Sequence, residues 1–207
     1  MPNKHAQTFD PQQMNTQDMY KIMIGSVVPR PIAWISSKDK KGTLNLAPFS
    51  FFTVASRQPP TLAVSIGPGV KEREGTVKDT LTNIRELEEY VINIVPYELS
   101  NHMYESAKNY PPEIDEFKKG SLTPQFSDTI SVPTIKESPI AFECKLDKII
   151  PVGTDHVVLG QVQRAHVDQS AYLGDYKTDI DSWKPLARLA GDYATLNERF
   201  ALPTSDE

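Results

Sequence analysis

Three clusters in this chain combine residue types that can do chemistry. The first is GTVKDTLTNI at Gly75–Ile84. Asp79 or Thr80 is a natural cap for a helix starting there. A helix start turns unpaired N–H groups and the positive end of the backbone dipole toward an anion. Lys78 adds a full charge and Thr80 a hydroxyl donor, which together suit a phosphate group. The alternative is an ordinary capped helix with a surface lysine. The second cluster is NLAPFSFFTVAS at Asn45–Ser56, where Asn45, Ala47 and Ser50 interrupt an apolar run. Small residues let a flat ring approach the backbone, and a hydroxyl fixes its orientation. The alternative is a strand with a bulge at Pro48. The third is TDHVVLGQV at Thr154–Val162, with His156 beside Asp155 at a strand entrance, where an imidazole can face a pocket. A lone histidine can equally be structural or merely exposed.

Other chemistries are disfavoured. There is no GxGxxG, Walker loop or GxSxG, which weakens Rossmann, nucleotide-hydrolase and α/β-hydrolase readings. His5, His102, His156 and His166 are scattered without metal-ligand spacing. Cys144 alternates with Phe142 and Leu146 in AFECKL and reads as a buried strand residue, not a nucleophile. A net charge of −5 argues against a nucleic-acid surface, which needs clustered Lys and Arg. No stretch approaches the roughly 20 apolar residues of a membrane helix. The polar N-terminus lacks the apolar core of a secretory signal, and with a single cysteine this favours a reducing cytoplasm.

The elements that must position these clusters are mostly strands. Residues 1–16 read as a flexible arm, followed by a helical turn around Asp18–Ile24. Ile32–Ser36, Leu44–Ser56, Thr61–Ile66, Tyr90–Val95, Ile140–Ile150 and His156–Val167 read as strands, with a hairpin turn at Lys38–Gly42. Val77, Leu81, Ile84 and Leu87 recur at helical spacing, and a second amphipathic helix covers Glu98–Lys108. Residues 110–139 form a polar, proline-rich excursion with little regular structure. Trp183, Tyr193 and Phe200 suggest a packed tail. The pattern is mainly β with helical additions in a single domain over residues 17–207, and it favours an antiparallel barrel or sandwich.

In this order, GSVVPRPIAWISS, NLAPFSFFTVASRQPPTLAVSIG, GTVKDTLTNI, ESPIAFECKL, TDHVVLGQV and RLAGDYA resemble the flavin reductase-like, FMN-binding split-barrel family, from about Met19 to Tyr193. The resemblance implies a six-stranded Greek-key split β-barrel with FMN held at a homodimer interface. It implies that Asn45, Leu46, Ala47, Pro48 and Ser50 line the flavin ring and ribityl chain. Ser65 and Ile66 would join that wall, and Lys78, Asp79 and Thr80 would hold the phosphate. Where the family often reads GDH, this chain has Thr154-Asp155-His156, with the glycine displaced to Gly153. In RLAGDYA, Ala190 replaces a commoner glycine beside Arg188 and Tyr193, the two further candidates for flavin contact. The implied activity is NAD(P)H-dependent flavin reduction, with His156 on the open face and the excursion covering that face or wrapping the partner subunit. Two alternatives remain: an FMN electron carrier of the flavoredoxin type, docking to a redox partner protein, and a non-catalytic flavin- or haem-binding module.

Overall fold

Runs rich in β-branched and aromatic residues pair along the chain. In the computed structural model, which describes residues 6–70, 73–196 and 198–202, they build one large antiparallel sheet and three small ones. After helix α1 (Thr16–Ser26) come β1 (Arg30–Pro31), β2 (Ala33–Lys38), β3 (Leu44–Phe49), β4 (Phe52–Arg57) and β5 (Pro60–Ile66). Helix α2 (Asp79–Leu87), β6 (Glu89–Ile94), helix α3 (Ser100–Ser106) and helix α4 (Glu116–Lys119) follow. Next are β7 (Pro124–Gln125), β8 (Thr134–Ile135), β9 (Ile140–Val152) and β10 (Asp155–Val167). The chain then runs through β11 (Tyr172–Gly174), β12 (Lys177–Thr178), helix α5 (Ile180–Trp183), β13 (Leu186–Arg188) and β14 (Tyr193–Thr195). The large sheet has the order β3-β2-β6-β9-β10-β5-β4, while β1, β13 and β14 form a separate small sheet. No described helix is long and apolar enough to cross a membrane.

The sheet has seven strands where six were expected, and the reason lies in one dipeptide. The run Leu44–Ser56, read as one strand, breaks at Ser50-Phe51. Its first half pairs with β2 and its second with β5, so consecutive segments form opposite edges of the sheet. The sheet curls so that Ala47 and Phe49 of β3 pack with Leu62, Val64 and Ile66 of β5, while the Ser65 amide extends the β4–β5 ladder by donating to the Phe51 carbonyl at 2.8 Å. Pro48 makes no bulge; it keeps regular register opposite Trp34. An edge strand tolerates proline because the missing N–H is not needed for a second partner.

Inside the curl, Ala33, Ile35, Val64, Ile66, Tyr90, Ile92, Cys144 and Val158 form one buried cluster, closed by Leu81 and Ile84 of α2. Each large aliphatic side chain buried there contributes about 1.5–3 kcal/mol. Gly160 lets Tyr90 lie across β10: a Cβ at that position would come within 2.0 Å of the phenolic oxygen. Cys144 is wholly buried, and burial, reinforced by the neighbouring Glu143, pushes its thiol up to about 12. This is the inert strand cysteine read from AFECKL.

Strand β2 is buried on both faces, because Trp34 points away from that core into a second cluster with Leu46, Met103, Phe117, Leu122 and Ile135. The Trp34 indole donates to Ser106 Oγ at 2.9 Å. Phe117, Leu122 and Ile135 belong to the excursion, which therefore packs on its own sheet. Of the tail, Trp183 is half-buried, whereas Phe200 is 85% exposed and does not pack in the single chain.

Candidate functional site

Between β5 and α2 the chain makes a tight turn. The Gly69 amide donates to the Thr76 carbonyl at 2.8 Å, and a Cβ on Gly69 would come within 2.2 Å of the Arg73 carbonyl oxygen. The turn brings Arg73 onto Asp79, with both guanidinium nitrogens on both carboxylate oxygens (Nη2 to Oδ1, 2.7 Å). The cap differs from expectation. Helix α2 begins at Asp79, its N-cap is Lys78, and no side chain caps it. Asp79 is committed to Arg73, and the Thr80 hydroxyl donates to Asn45 Oδ1 at 2.8 Å. The Asp79 and Thr80 amides thus lack helical and side-chain caps, while those of Leu81 and Thr82 already donate to the Lys78 carbonyl. Among the described residues Lys78 has no carboxylate within ion-pair distance; its ammonium lies 5.6 Å from the centre of the Phe49 ring. Burial, and then the nearby Arg73, lower its pKa.

These groups line a cavity of about 80 Å³ together with Asn45, Pro48, Ala107, Tyr110 and Glu116. Glu116 is only 5% exposed. Its carboxylate accepts from the Leu46 amide and from Asn45 Nδ2, each at 3.2 Å. Burial raises its pKa to about 7, more than these hydrogen bonds lower it, with the negative charge of Asp79 adding to the rise. Asn45 is the hub, since its Oδ1 also accepts from Ser37 Oγ at 3.0 Å.

Pro48 and Ala107 also line a second, wider recess of about 390 Å³. Its wall carries Tyr20, Arg30, Ser50, Arg188 and Tyr193. The Arg188 guanidinium stacks 4.5 Å from the centre of the Tyr193 ring. Arg30 is 7% exposed and donates to the carbonyls of Ile24, Val27 and Leu189 at 2.5, 3.0 and 2.7 Å. It thereby joins the end of α1 to the RLAGDYA loop.

Asn45, Ala47, Pro48, Lys78, Asp79 and Thr80 therefore meet at the small cavity, and Pro48, Ser50, Arg188 and Tyr193 at the wide one. The rest of the candidates lie elsewhere. Leu46 is wholly buried in the second core, with its amide occupied by Glu116. Ile66 is wholly buried in the first core, and Ser65 donates to Asp155 Oδ2 at 3.5 Å. His156 sits half-buried on β10 opposite Ile66 and lines neither recess. Arg30, Arg73 and Glu116 were not anticipated. Only Arg30 carried a local signal, its place between two prolines.

A model of the flavin reductase-like domain matches residues 24–184. The chain belongs to the flavin reductase-like family. A protein of Aquifex aeolicus is 37% identical over 185 residues, 89% of this chain and 93% of its own length. The crystal structure of nitrilotriacetate monooxygenase component B from Bacillus cereus superposes with a TM-score of 0.91 at 35% identity, covering 97% of this chain and 100% of that one. The 2-nitrobenzoate 2-nitroreductase of Pseudomonas fluorescens superposes at 0.86 with 28% identity, covering 97% of each chain. A flavin reductase with split barrel domain from Shewanella frigidimarina superposes at 0.82 with 22% identity, covering 97% of this chain and 100% of that one, and the fold here is likewise mainly β with a few helices.

The family implies a flavin, and the donor set fits a flavin with a terminal phosphate. An ammonium without a counter-ion at an uncapped helix start is short of an anion. The wider recess beside it offers aromatic and guanidinium surface to a ring.

At the far end of the flavin reductase-like fold, Asp128, Glu143 and His166 converge, with candidate ligand atoms within 4.8 Å of one another. The sequence spacing had not brought His166 near any carboxylate. Both Glu143 oxygens are already engaged: Oε1 by the Asp128 amide (2.7 Å) and His166 Nε2 (2.6 Å), Oε2 by the Thr129 amide (2.7 Å) and hydroxyl. Arg164 pairs with Asp128 at 3.3 Å, so the cluster is a hydrogen-bonded latch. His102 bonds the Gly120 carbonyl at 2.7 Å, and His5 lies outside the described residues.

Proposed function

We propose that this protein binds FMN and reduces it with NAD(P)H. The observation that carries the reading is the unpaired Lys78 at the uncapped start of α2, one proline away from a recess lined by Arg30, Arg188 and Tyr193. Lys78, the first amides of α2 and Thr80 hold the phosphate; Asp79 acts by fixing Arg73 at its rim. The small cavity, about 80 Å³ and lined by Ala107, Tyr110 and Glu116, suits a single terminal phosphate, which favours FMN over FAD. Asn45, Ala47, Pro48 and Ser50 line the ribityl chain and one ring edge, with Arg188 and Tyr193 beside them.

The bound flavin supplies hydride acceptance from the nicotinamide, chemistry that belongs to the cofactor. The chain supplies binding, ring orientation and exclusion of water, and no strong general acid or base is required. The active form is a homodimer: Met23, Val27 and Phe51, at the end of α1 and the start of β4, are exposed on a patch that shares Ile24, Arg30 and Ser50 with the wide recess. Leu46, Ser65 and Ile66 shape the barrel wall and do not touch the cofactor within this subunit. His156 keeps a role toward the nicotinamide or the electron acceptor only if dimerisation brings it to the open face. The single buried thiol suits a reducing cytoplasm.

The test is an anaerobic absorbance spectrum of the FMN-loaded protein with NADH or NADPH. Rapid bleaching of the oxidised flavin bands by one nucleotide supports the reductase and names its donor. Bands that persist with both would make it an electron carrier fed by a separate redox partner.

A further inference from the structure

The small cavity holds a carboxylate that the phosphate-binding reading leaves unused. Glu116 lines the same wall as Lys78, Thr80 and Arg73, yet no cation among the described residues pairs with it. Its partners are two neutral amides, Leu46 N and Asn45 Nδ2. The cations around it are otherwise engaged. Arg73 grips Asp79 from the turn. Lys118 pairs with Asp115 on its own helix at 3.5 Å. Lys119 lies over the Tyr110 ring at 5.5 Å, and Lys108 and Tyr110 are both held by Glu105. A phosphate entering beside Lys78 therefore meets a second, buried negative charge at close range, with little water between to screen it.

We propose that Glu116 is the proton-linked member of this phosphate cavity, taking up a proton from solvent as a phosphate group binds. The proposal rests on the FMN-phosphate reading above. In the uptake step a buffer acid or water loses the proton and one O–H bond forms on Glu116, so a neutral carboxyl replaces a carboxylate. Asn45 and Leu46 donate to that carboxyl, which leaves its new O–H free to donate into the cavity. Because burial already raises the Glu116 pKa to about 7, the exchange falls in the physiological range. The sign follows from linkage. A phosphate raises the Glu116 pKa further, so FMN affinity falls as pH rises through that value.

The test compares FMN and riboflavin affinities of the wild type and Glu116→Gln by flavin fluorescence, between pH about 6 and about 8.5. The glutamine is neutral throughout and keeps the shape. Ionisation of the FMN phosphate itself is common to both proteins and cancels in their ratio. Wild type and variant are expected to bind FMN alike at the acid end. The wild type should fall behind by roughly fivefold to tenfold at the alkaline end, as a linked shift of about one pKa unit requires. For riboflavin the ratio should stay flat. Calorimetry in two buffers of different ionisation enthalpy needs no variant. At pH about 8, where the phosphate is already dianionic, FMN binding to the wild type should take up roughly half a proton. A preference for FMN over riboflavin with a flat ratio and no proton uptake would overturn the linkage alone. Equal binding of FMN and riboflavin at every pH would overturn the phosphate site and the linkage together.

Discussion

Glu116 and Glu143 fasten the start and the middle of the excursion over residues 110–139, and they do so from opposite sides. Glu116 reaches out of the excursion to the backbone and side-chain amides of β3. Glu143 reaches from β9 to the amides of Asp128 and Thr129 in the excursion. Both are buried, at 5% and 0% exposure, yet their carboxyls shift in opposite directions, to about 7 and about 2. Burial is the largest influence on each and pushes both upward. At Glu143 it is outweighed by the Thr129 hydroxyl, the Asp128 amide, His166 and the Thr129 amide. At Glu116 the few amides present do not outweigh it. Whether a buried carboxylate stays charged depends on whether its donors outweigh its desolvation. The saturated glutamate is a structural latch. The undersatisfied one stands at the cavity proposed for the phosphate.

The comparison predicts separable effects. The largest belongs to Glu143→Gln. A carboxyl lowered from 4.5 to about 2 stabilises the fold above pH 4.5, and this contribution is lost as pH falls through 2. The variant should lose on the order of 3 kcal/mol at neutral pH by urea denaturation, with little change in FMN affinity. Glu116 has the opposite sign. Its raised pKa favours the fold fully below pH 4.5, and that favour is lost as pH rises through 7. Relative to the wild type, Glu116→Gln should therefore gain on the order of 3 kcal/mol of stability between acid and mildly alkaline pH. If both glutamine variants lost stability equally at every pH, the contrast between the two sites would be wrong. Third, Lys78→Ala should weaken FMN roughly tenfold to thirtyfold, the loss of one charge-assisted contact, and leave the denaturation midpoint within about 0.5 kcal/mol. The smallest effect is at Cys144, between these regions in the core. With its thiol pushed up to about 12, native protein should resist alkylation over hours, and modification should appear only in denaturant.

Local chemistry was legible in the sequence where one segment carried it. Lys78, Asp79 and Thr80 sit at a helix start that the Val77-Leu81-Ile84-Leu87 period marks, and the structure misses the expected cap by one residue. Asn45, Ala47 and Ser50 stood out as the break in an apolar run, and the structure puts the first two at the small cavity and Ser50 at the wide recess; Cys144 was readable from strand alternation. The split at Ser50-Phe51 was hidden, because the apolar residues continue through it and only partner choice, with β2 or with β5, separates the halves. Glu116 acts across a distance in sequence that no period encodes, meeting residues about seventy positions away, while Arg73 meets Asp79 six positions on, within a turn that carries no periodic signal. The polar composition of the excursion masked Phe117, Leu122, Val132 and Ile135, the few apolar anchors that hold it down. His156, a suggestive residue type on a strand end, lines neither recess of its own subunit.

The most direct measurement of the central claim is the affinity of the wild type and Lys78→Ala for FMN and for riboflavin, side by side at neutral pH. The two ligands differ only in the phosphate. A wild-type preference for FMN of about tenfold or more that collapses in the variant is the result this site predicts. Equal affinity for both ligands, or a preference untouched by removing Lys78, would contradict it.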